Sequence, residues 1–225
     1  MRGWIAGLVL ILTSPVLAAE PIVSDGDTLT VDGTKFRLDG IDAPEFNQIC
    51  LDEKDQEWKC GLAARDALVE WIAKRTVRCD DKGPDKIHPD RQIGICFVDG
   101  KELNEWLVRQ GWALNFEPYA WGRFVAAQAD AAKNRRGMWK GCFAAPWDIR
   151  RWKKDAPLMG SPCSPDARER IFREPACSIK GNRRSGIYHM PGCRSYDSTT
   201  HDVKWFCSED EARAEGYTKA RNCPR

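Results

Sequence analysis

Three short segments hold the residues whose types could do chemistry together: Val23-Ser-Asp-Gly-Asp-Thr28, Phe36-Arg-Leu-Asp-Gly-Ile-Asp-Ala-Pro-Glu45 and Asp90-Arg-Gln-Ile-Gly-Ile-Cys-Phe97. Of their six carboxylates, Asp27, Asp42 and Glu45 are the right types for the work, as are both guanidinium groups, Arg37 and Arg91. Hydrolysis of a phosphodiester needs a water deprotonated or oriented, a phosphorane-like transition state stabilised, and cations for the nonbridging oxygens. A hard divalent ion held by carboxylates, two arginines and one further carboxylate would supply all of these. On residue type alone, the same set is also what ordinary surface ion pairs and turn caps are made of. The Asp25-Gly26-Asp27 triplet opens like an EF-hand calcium loop, but the remaining ligand spacing of that loop is missing.

The elements that must position these residues read as a mixed domain. Pro21 to Val31 reads as a strand, Asp32-Gly33 as a tight hairpin turn and Lys35 to Leu38 as the returning strand. Apolar residues at Ala64, Ala67, Leu68, Trp71 and Ile72 form a helical stripe within Cys60 to Lys74. Strands follow at Thr76–Cys79 and Ile93–Val98, then a short helix around Leu103, Trp106 and Leu107 that ends near Gly111. Trp112 to Phe116 reads as extended, and Phe124 to Arg135 as an Ala-rich helix stopped by Gly137. Short strands with helices on one side predict an α+β domain around a small barrel, a five-stranded OB-fold-like arrangement with about three helices. Most of Trp71, Trp106, Trp112 and Trp139 are expected in the core.

The strings VSDGDTLTV, FRLDGIDAPE and DGKELNEWLVRQGWA, in this order, closely resemble the staphylococcal nuclease family over about Pro21 to Trp139. The resemblance implies a calcium site on Asp27, Asp42 and the main-chain carbonyl of Ala43, where no side chain is needed. It implies that Glu45 activates the attacking water and that Arg37 and Arg91 grip the phosphate. The family usually has Tyr-Gly before the second arginine; here the run is His88-Pro89-Asp90, and Asp90 can compete for Arg91. Tyr119 and Trp121 fall near the family's base-stacking tyrosines, since single strands are commonly bound on aromatic faces. The implied substrate is single-stranded DNA or RNA, cut to leave 3′-phosphate ends. The alternative is a non-catalytic OB-fold module that binds nucleic acid or a surface polymer in the cell envelope.

The wider composition sets the setting. Charged residues make up 30% and hydrophobic residues 42% of the chain, which excludes a disordered composition. A formal net charge of +2 neither demands nor excludes a nucleic-acid partner, because patches matter more than totals. Arg2, the apolar run Ile5 to Leu12 and the small residues before Ala19 read as a secretory signal peptide, residues 1–18, with cleavage after Ala18 or Ala19. Its apolar run is well short of the roughly 20 residues that span a bilayer. The mature chain is expected to be a soluble monomer, periplasmic or secreted, without stable membrane insertion.

Ten scattered cysteines in an exported chain predict five disulfides. A Cys50–Cys60 bridge would close the polar loop between them, and Cys79 and Cys96 are cross-strand candidates. Cys177, Cys193, Cys207 and Cys223 can pair within the tail, which leaves Cys142 with Cys163.

The expected division is a nuclease-like domain at 19–143, a linker or wrap-around segment at 144–175, and a cysteine-rich module at 176–225. The module's helix is expected over Ser208 to Glu215, with Ser208 as N-cap and Glu211 completing a capping box. The module resembles the zinc-binding module of adaptive-response DNA-repair methyltransferases through Gly181-Asn182, Tyr188-His189, Pro191-Gly-Cys193, Phe206-Cys-Ser208, Gly216-Tyr217 and Cys223. It departs where Ala220 replaces a ligand cysteine, so two disulfides are expected in place of zinc. Its basic residues Lys180, Arg183, Arg184 and Arg194 could extend a nucleic-acid surface.

Overall fold

A computed structural model describes residues 20–173, 178–196, 198–199 and 203–223; the expected leader and Cys177 lie outside them. The chain enters strand β1 (Ile22–Asp25), turns at Gly26-Asp27 and returns as β2 (Thr28–Val31), antiparallel to β1. Residues 21–31 are therefore a hairpin, not the single strand expected. The apolar pattern continues through both arms, but Asp25 Oδ1 accepts the Asp27 N–H at 3.1 Å and turns the chain on a glycine. The Asp32-Gly33 turn leads into β3 (Thr34–Leu38), whose register places Arg37 opposite Thr28. Next come β4 (Ile41–Asp42), β5 (Ile49–Leu51), β6 (Glu57–Lys59) and helix α1 (Cys60–Ile72).

Strands β7 (Val77–Pro84) and β8 (Gln92–Val98) pair antiparallel, and the short β9 (Lys101–Glu102) returns on β8. The main sheet runs β1-β2-β3-β8-β7, with β3 and β8 parallel. Helix α2 (Leu103–Arg109), strand β10 (Leu114–Asn115, paired with β4) and helices α3 (Glu117–Ala120) and α4 (Val125–Lys133) follow. Leu29, Leu38, Ile41, Leu68, Leu103 and Leu107 form the fully buried centre of the core between sheet and helices. Trp71 and Trp106 stack at its edge, ring centres 4.2 Å apart. Beneath it, the buried Asn104 amide donates to Asp39 O at 2.9 Å and accepts the Cys96 N–H at 3.2 Å, fixing α2 to β8 and to the β3–β4 turn.

The stretch after residue 143 does more than connect. β11 (Cys142–Ala144), α5 (Pro146–Arg150), β12 (Leu158–Gly160) and α6 (Ala167–Ile171) fold back so that β12, β11, β5 and β6 make a second sheet. Disulfides Cys50–Cys60 and Cys142–Cys163 staple this layer, and Cys79–Cys96 joins directly paired residues of β7 and β8.

The tail forms a separate four-stranded sheet of β13 (Ile179–Asn182), β14 (Ile187–His189), β15 (Val203–Phe206) and, after α7 (Glu209–Ala214), β16 (Thr218–Lys219), in the order β15-β13-β14-β16. Ser208 caps α7 by accepting the Glu211 N–H at 3.1 Å, and Glu211 reaches back to the Cys207 N–H at 2.8 Å. Cys193 bonds to Cys223. Cys207 is also in a disulfide, and its expected partner Cys177 lies outside the described residues. Among the described residues no helix is long and apolar enough to cross a membrane.

Two glycines let the chain pack around what becomes the site. A Cβ on Gly26 would sit 2.7 Å from that of Ala43, so the β1–β2 turn rests on the strand carrying Asp42 only because both residues are small. A Cβ on Gly61, at the start of α1, would lie 1.8 Å from the Glu45 carbonyl oxygen. Gly61→Ala is expected to push the Glu45 loop off α1 and cost about 1–3 kcal/mol, the usual range for overpacking. A thermal melt of the variant unchanged from the parent would contradict this packing.

Candidate active site

Two separate stretches of chain, 25–27 and 37–45, bring their charges to one place. The β1–β2 turn carries Asp25 and Asp27, β3 and β4 carry Arg37 and Asp42, and the loop after β4 carries Glu45. Asp27 and Asp42 are buried, Asp42 completely. Arg37 Nη2 lies 2.7 Å from Asp42 Oδ1 and 3.2 Å from Asp27 Oδ2. Asp27 Oδ2 also accepts the Ala43 N–H at 3.1 Å, and Asp27 Oδ1 accepts the Thr28 hydroxyl at 3.0 Å. The Glu45 loop is tied down through Gln48, whose side-chain oxygen accepts the Glu45 N–H and whose amide donates to Ala144 O at 2.8 Å.

One member of the group was not anticipated. Arg150, at the end of α5, donates to Asp42 Oδ2 at 2.6 Å and pairs with Glu45 through its other terminal nitrogen. Its sequence neighbourhood offers only a weak sign. Pro146 marks a helix start and Arg150-Arg151 is a basic pair, but neither fixes a contact more than a hundred residues back along the chain. Trp147, one turn earlier on α5, packs on Phe116 with ring centres 5.5 Å apart and so holds the helix in place.

The remaining expected residues lie around this centre. Arg91 does not touch the carboxylate group. Its Nε donates to the buried Asp85 at 2.8 Å, while Asp90, the expected competitor, pairs with Lys35. Tyr119 packs beside Phe116 at 5.6 Å, on the α5 side of the site, and is more than half exposed. Trp121 ends α3 in the left-handed conformation and is 85% exposed.

Charge balance dominates the electrostatics. Asp25, Asp27, Asp42 and Glu45 share two guanidinium groups, so full ionisation leaves two negative charges uncompensated. Burial, followed by the neighbouring Asp27, pushes the Asp25 carboxyl up to about 7. Burial opposes the Asp27 charge too, but Arg37, the Ala43 N–H and Arg150 outweigh it and hold that carboxyl below its ordinary value. Desolvation raises Glu45, with Arg150 pulling the other way. Burial works against the charge on Arg37 and Arg150, and in each case the carboxylates reverse its effect.

An all-oxygen donor set with surplus negative charge suits a hard divalent cation. Among the described residues no three His, Cys, Asp or Glu side chains converge at metal-ligand spacing. Here Arg37 bridges Asp27 and Asp42, and Arg150 bridges Asp42 and Glu45, so guanidinium groups stand where the carboxylates would close on an ion.

Residues 35–141 match the family described as staphylococcal nuclease homologue, and residues 173–219 match a second family described as ArfC. A succinoglycan biosynthesis protein, ExoI, of Rhizobium meliloti (strain 1021) is 37% identical over 138 residues, covering 58% of this chain and 71% of that protein. A protein of Escherichia coli O157:H7 described as an uncharacterized endonuclease is 30% identical over 165 residues, 68% of this chain and 100% of its own length. Protein ParB of Escherichia coli is 30% identical over 172 residues, 67% of this chain and 90% of its own.

Because Arg150 and a cation would compete for Asp42 and Glu45, Arg150→Ala is expected to tighten binding of terbium, competed with calcium, by about tenfold, equivalent to 1.4 kcal/mol. Luminescence titration measures this directly, and weaker binding in the variant would contradict the competition.

Proposed function

The chain belongs to the staphylococcal nuclease family, and on that premise we propose that it is an exported, calcium-dependent nuclease hydrolysing phosphodiester bonds of DNA, RNA or both. The observation that carries this reading is the convergence of Asp27 from one chain segment with Arg37, Asp42 and Glu45 from another, joined by Arg150 from a third, into one group with surplus negative charge. A surface ion pair needs one partner; three carboxylates ion-paired with two arginines, with Asp25 beside them, leave negative charge that a proton or a further cation balances.

In this reading Asp27, Asp42 and the Ala43 carbonyl would hold calcium, which when bound would neutralise charge on the scissile phosphate. Glu45 orients the attacking water and accepts its proton as the new bond to phosphorus forms and the bond to the 5′ oxygen breaks. Its raised pKa makes it a better base than an ordinary carboxylate. Arg37 donates to nonbridging oxygens. Arg91 reaches the phosphate only by leaving Asp85 or by keeping one face of its guanidinium free. Arg150, which pairs with Asp42 and Glu45, would supply a further guanidinium beside the reacting group. Tyr119 offers a face for a base; Trp121 does so only for a strand running over α3.

Export to the periplasm or beyond accords with the disulfides and with the absence of a free cysteine among the described residues. A second reading has one observation in its favour. The Arg150 bridge already satisfies Asp42 and Glu45, as it would in a module that binds nucleic acid without cutting it.

An assay on denatured DNA separates the two. Cleavage with calcium and its loss with chelator are expected, whereas a gel shift without cleavage would select the binding module. Glu45→Gln is expected to lower turnover by about 10²–10⁴-fold, the range for losing a general base, with the melting temperature retained. Undiminished cleavage by that variant would remove Glu45 from its role.

A further inference from the structure

Beside the carboxylate group, and sharing Asp25 and Thr28 with it, a groove of about 720 Å³ runs between the nuclease fold and the C-terminal module. Its near wall carries Lys35, Phe46 and Arg91, and its far wall carries Arg183, Arg184, Lys204 and Trp205. We propose that the C-terminal module is the second wall of a nucleic-acid groove, gripping the backbone of a single strand beside the scissile phosphate. The inference deepens the nuclease reading and rests on it for the identity of the strand.

The module presents these groups on a fixed frame. Arg183 and Arg184 lie in the β13–β14 turn, where Asn182 Oδ1 accepts the N–H groups of Arg184 and Ser185 at 3.1 and 2.9 Å, and Gly186 N–H returns to Asn182 O at 2.9 Å. The turn is thereby set, and both arginines are exposed without an ion pair among the described residues. The other cations of the groove already have partners: Lys35 has Asp90, Arg91 has Asp85 and Lys204 has Glu215. Arg183 and Arg184 are therefore the uncompensated charge.

Trp205 lies on β15 opposite Lys180, and its ring meets that of Trp152 at 6.3 Å. Trp152 is two residues beyond Arg150, so the contact couples the module to the segment that enters the active site.

Cations spaced along a groove, with Phe46 and Trp205 as aromatic faces, match a polymer that alternates phosphates with flat bases. An acidic polysaccharide could use the cations and pack its sugar faces on the rings as well, so what favours a nucleic-acid strand is that the groove runs on to the reacting centre. Continuity with Asp25 and Thr28 aligns such a strand with the reacting centre.

The test uses the full mature chain in chelator, where no cleavage occurs, and a fluorescein-labelled oligothymidylate of sixteen nucleotides followed by anisotropy. The paired substitution R183E/R184E is expected to weaken binding roughly 10- to 100-fold at low salt and to flatten the salt dependence by about 0.7 per lost phosphate contact. Calcium-dependent cleavage of a dinucleotide, too short to reach the module, is expected to stay unchanged. Unaltered affinity of R183E/R184E for the oligonucleotide would overturn the proposal. So would equal loss of dinucleotide cleavage, or equally tight binding of an acidic polysaccharide by the parent chain. A parent that binds through these arginines but never cleaves would reject the nuclease reading while leaving the groove standing.

Discussion

Four carboxylates held against two arginines set the terms for this fold. Bringing Asp25, Asp27, Asp42 and Glu45 together costs repulsion and desolvation that no hydrophobic packing nearby requires, and the raised Asp25 carboxyl registers that cost. The surrounding architecture holds the group despite this. The β1–β2 turn is seated on Ala43 through Gly26, β4 is clamped to β10, and the Glu45 loop is pinned between Gly61 and Gln48. Each restraint is a close approach of backbone to backbone or a buried amide, so the carboxylates cannot relax apart without breaking the local fold.

Arg150 gives the stretch beyond the nuclease domain a share in the site. The second sheet and its two disulfides position α5, α5 positions Arg150, and Trp152 leads from there to the C-terminal module. Other contacts, among them Arg170 with Asp55 and Glu57, fasten the same stretch to the nuclease fold away from the charged centre. In an oxidising compartment the disulfides stabilise this arrangement chiefly by restricting the unfolded chain. The tail is too small for a large core of its own and depends on such bridges.

Much of this was legible in the sequence. The D-G-D-T and R-L-x-G-I-D-x-P-E strings carry the family, and the apolar periodicities of α1 and β8 place the core. Cys79 and Cys96 could be paired because strand register puts them face to face. The Gly26-Asp27 turn had a local sign in the polar Ser24-Asp25-Gly26-Asp27-Thr28 run between two apolar arms, and the Asp25 side chain that accepts the Asp27 N–H is what makes it a turn and not one continuous strand. Arg150 was missed because its partners are set by how a Pro- and Trp-rich stretch folds back, which no local pattern encodes. Asp85 escaped for a similar reason: its grip on Arg91 depends on the bulged end of β7, where the register shifts between Asp81 and Pro84.

The central claim is that the surplus negative charge exists to receive a divalent cation. Calorimetric titration of calcium into the metal-free full chain at neutral pH tests it most directly. One ion bound per chain, with binding lost in Asp42→Asn, is the predicted result. No heat of binding, or binding indifferent to Asp42, would contradict it and leave the carboxylates as a purely arginine-bridged structural knot.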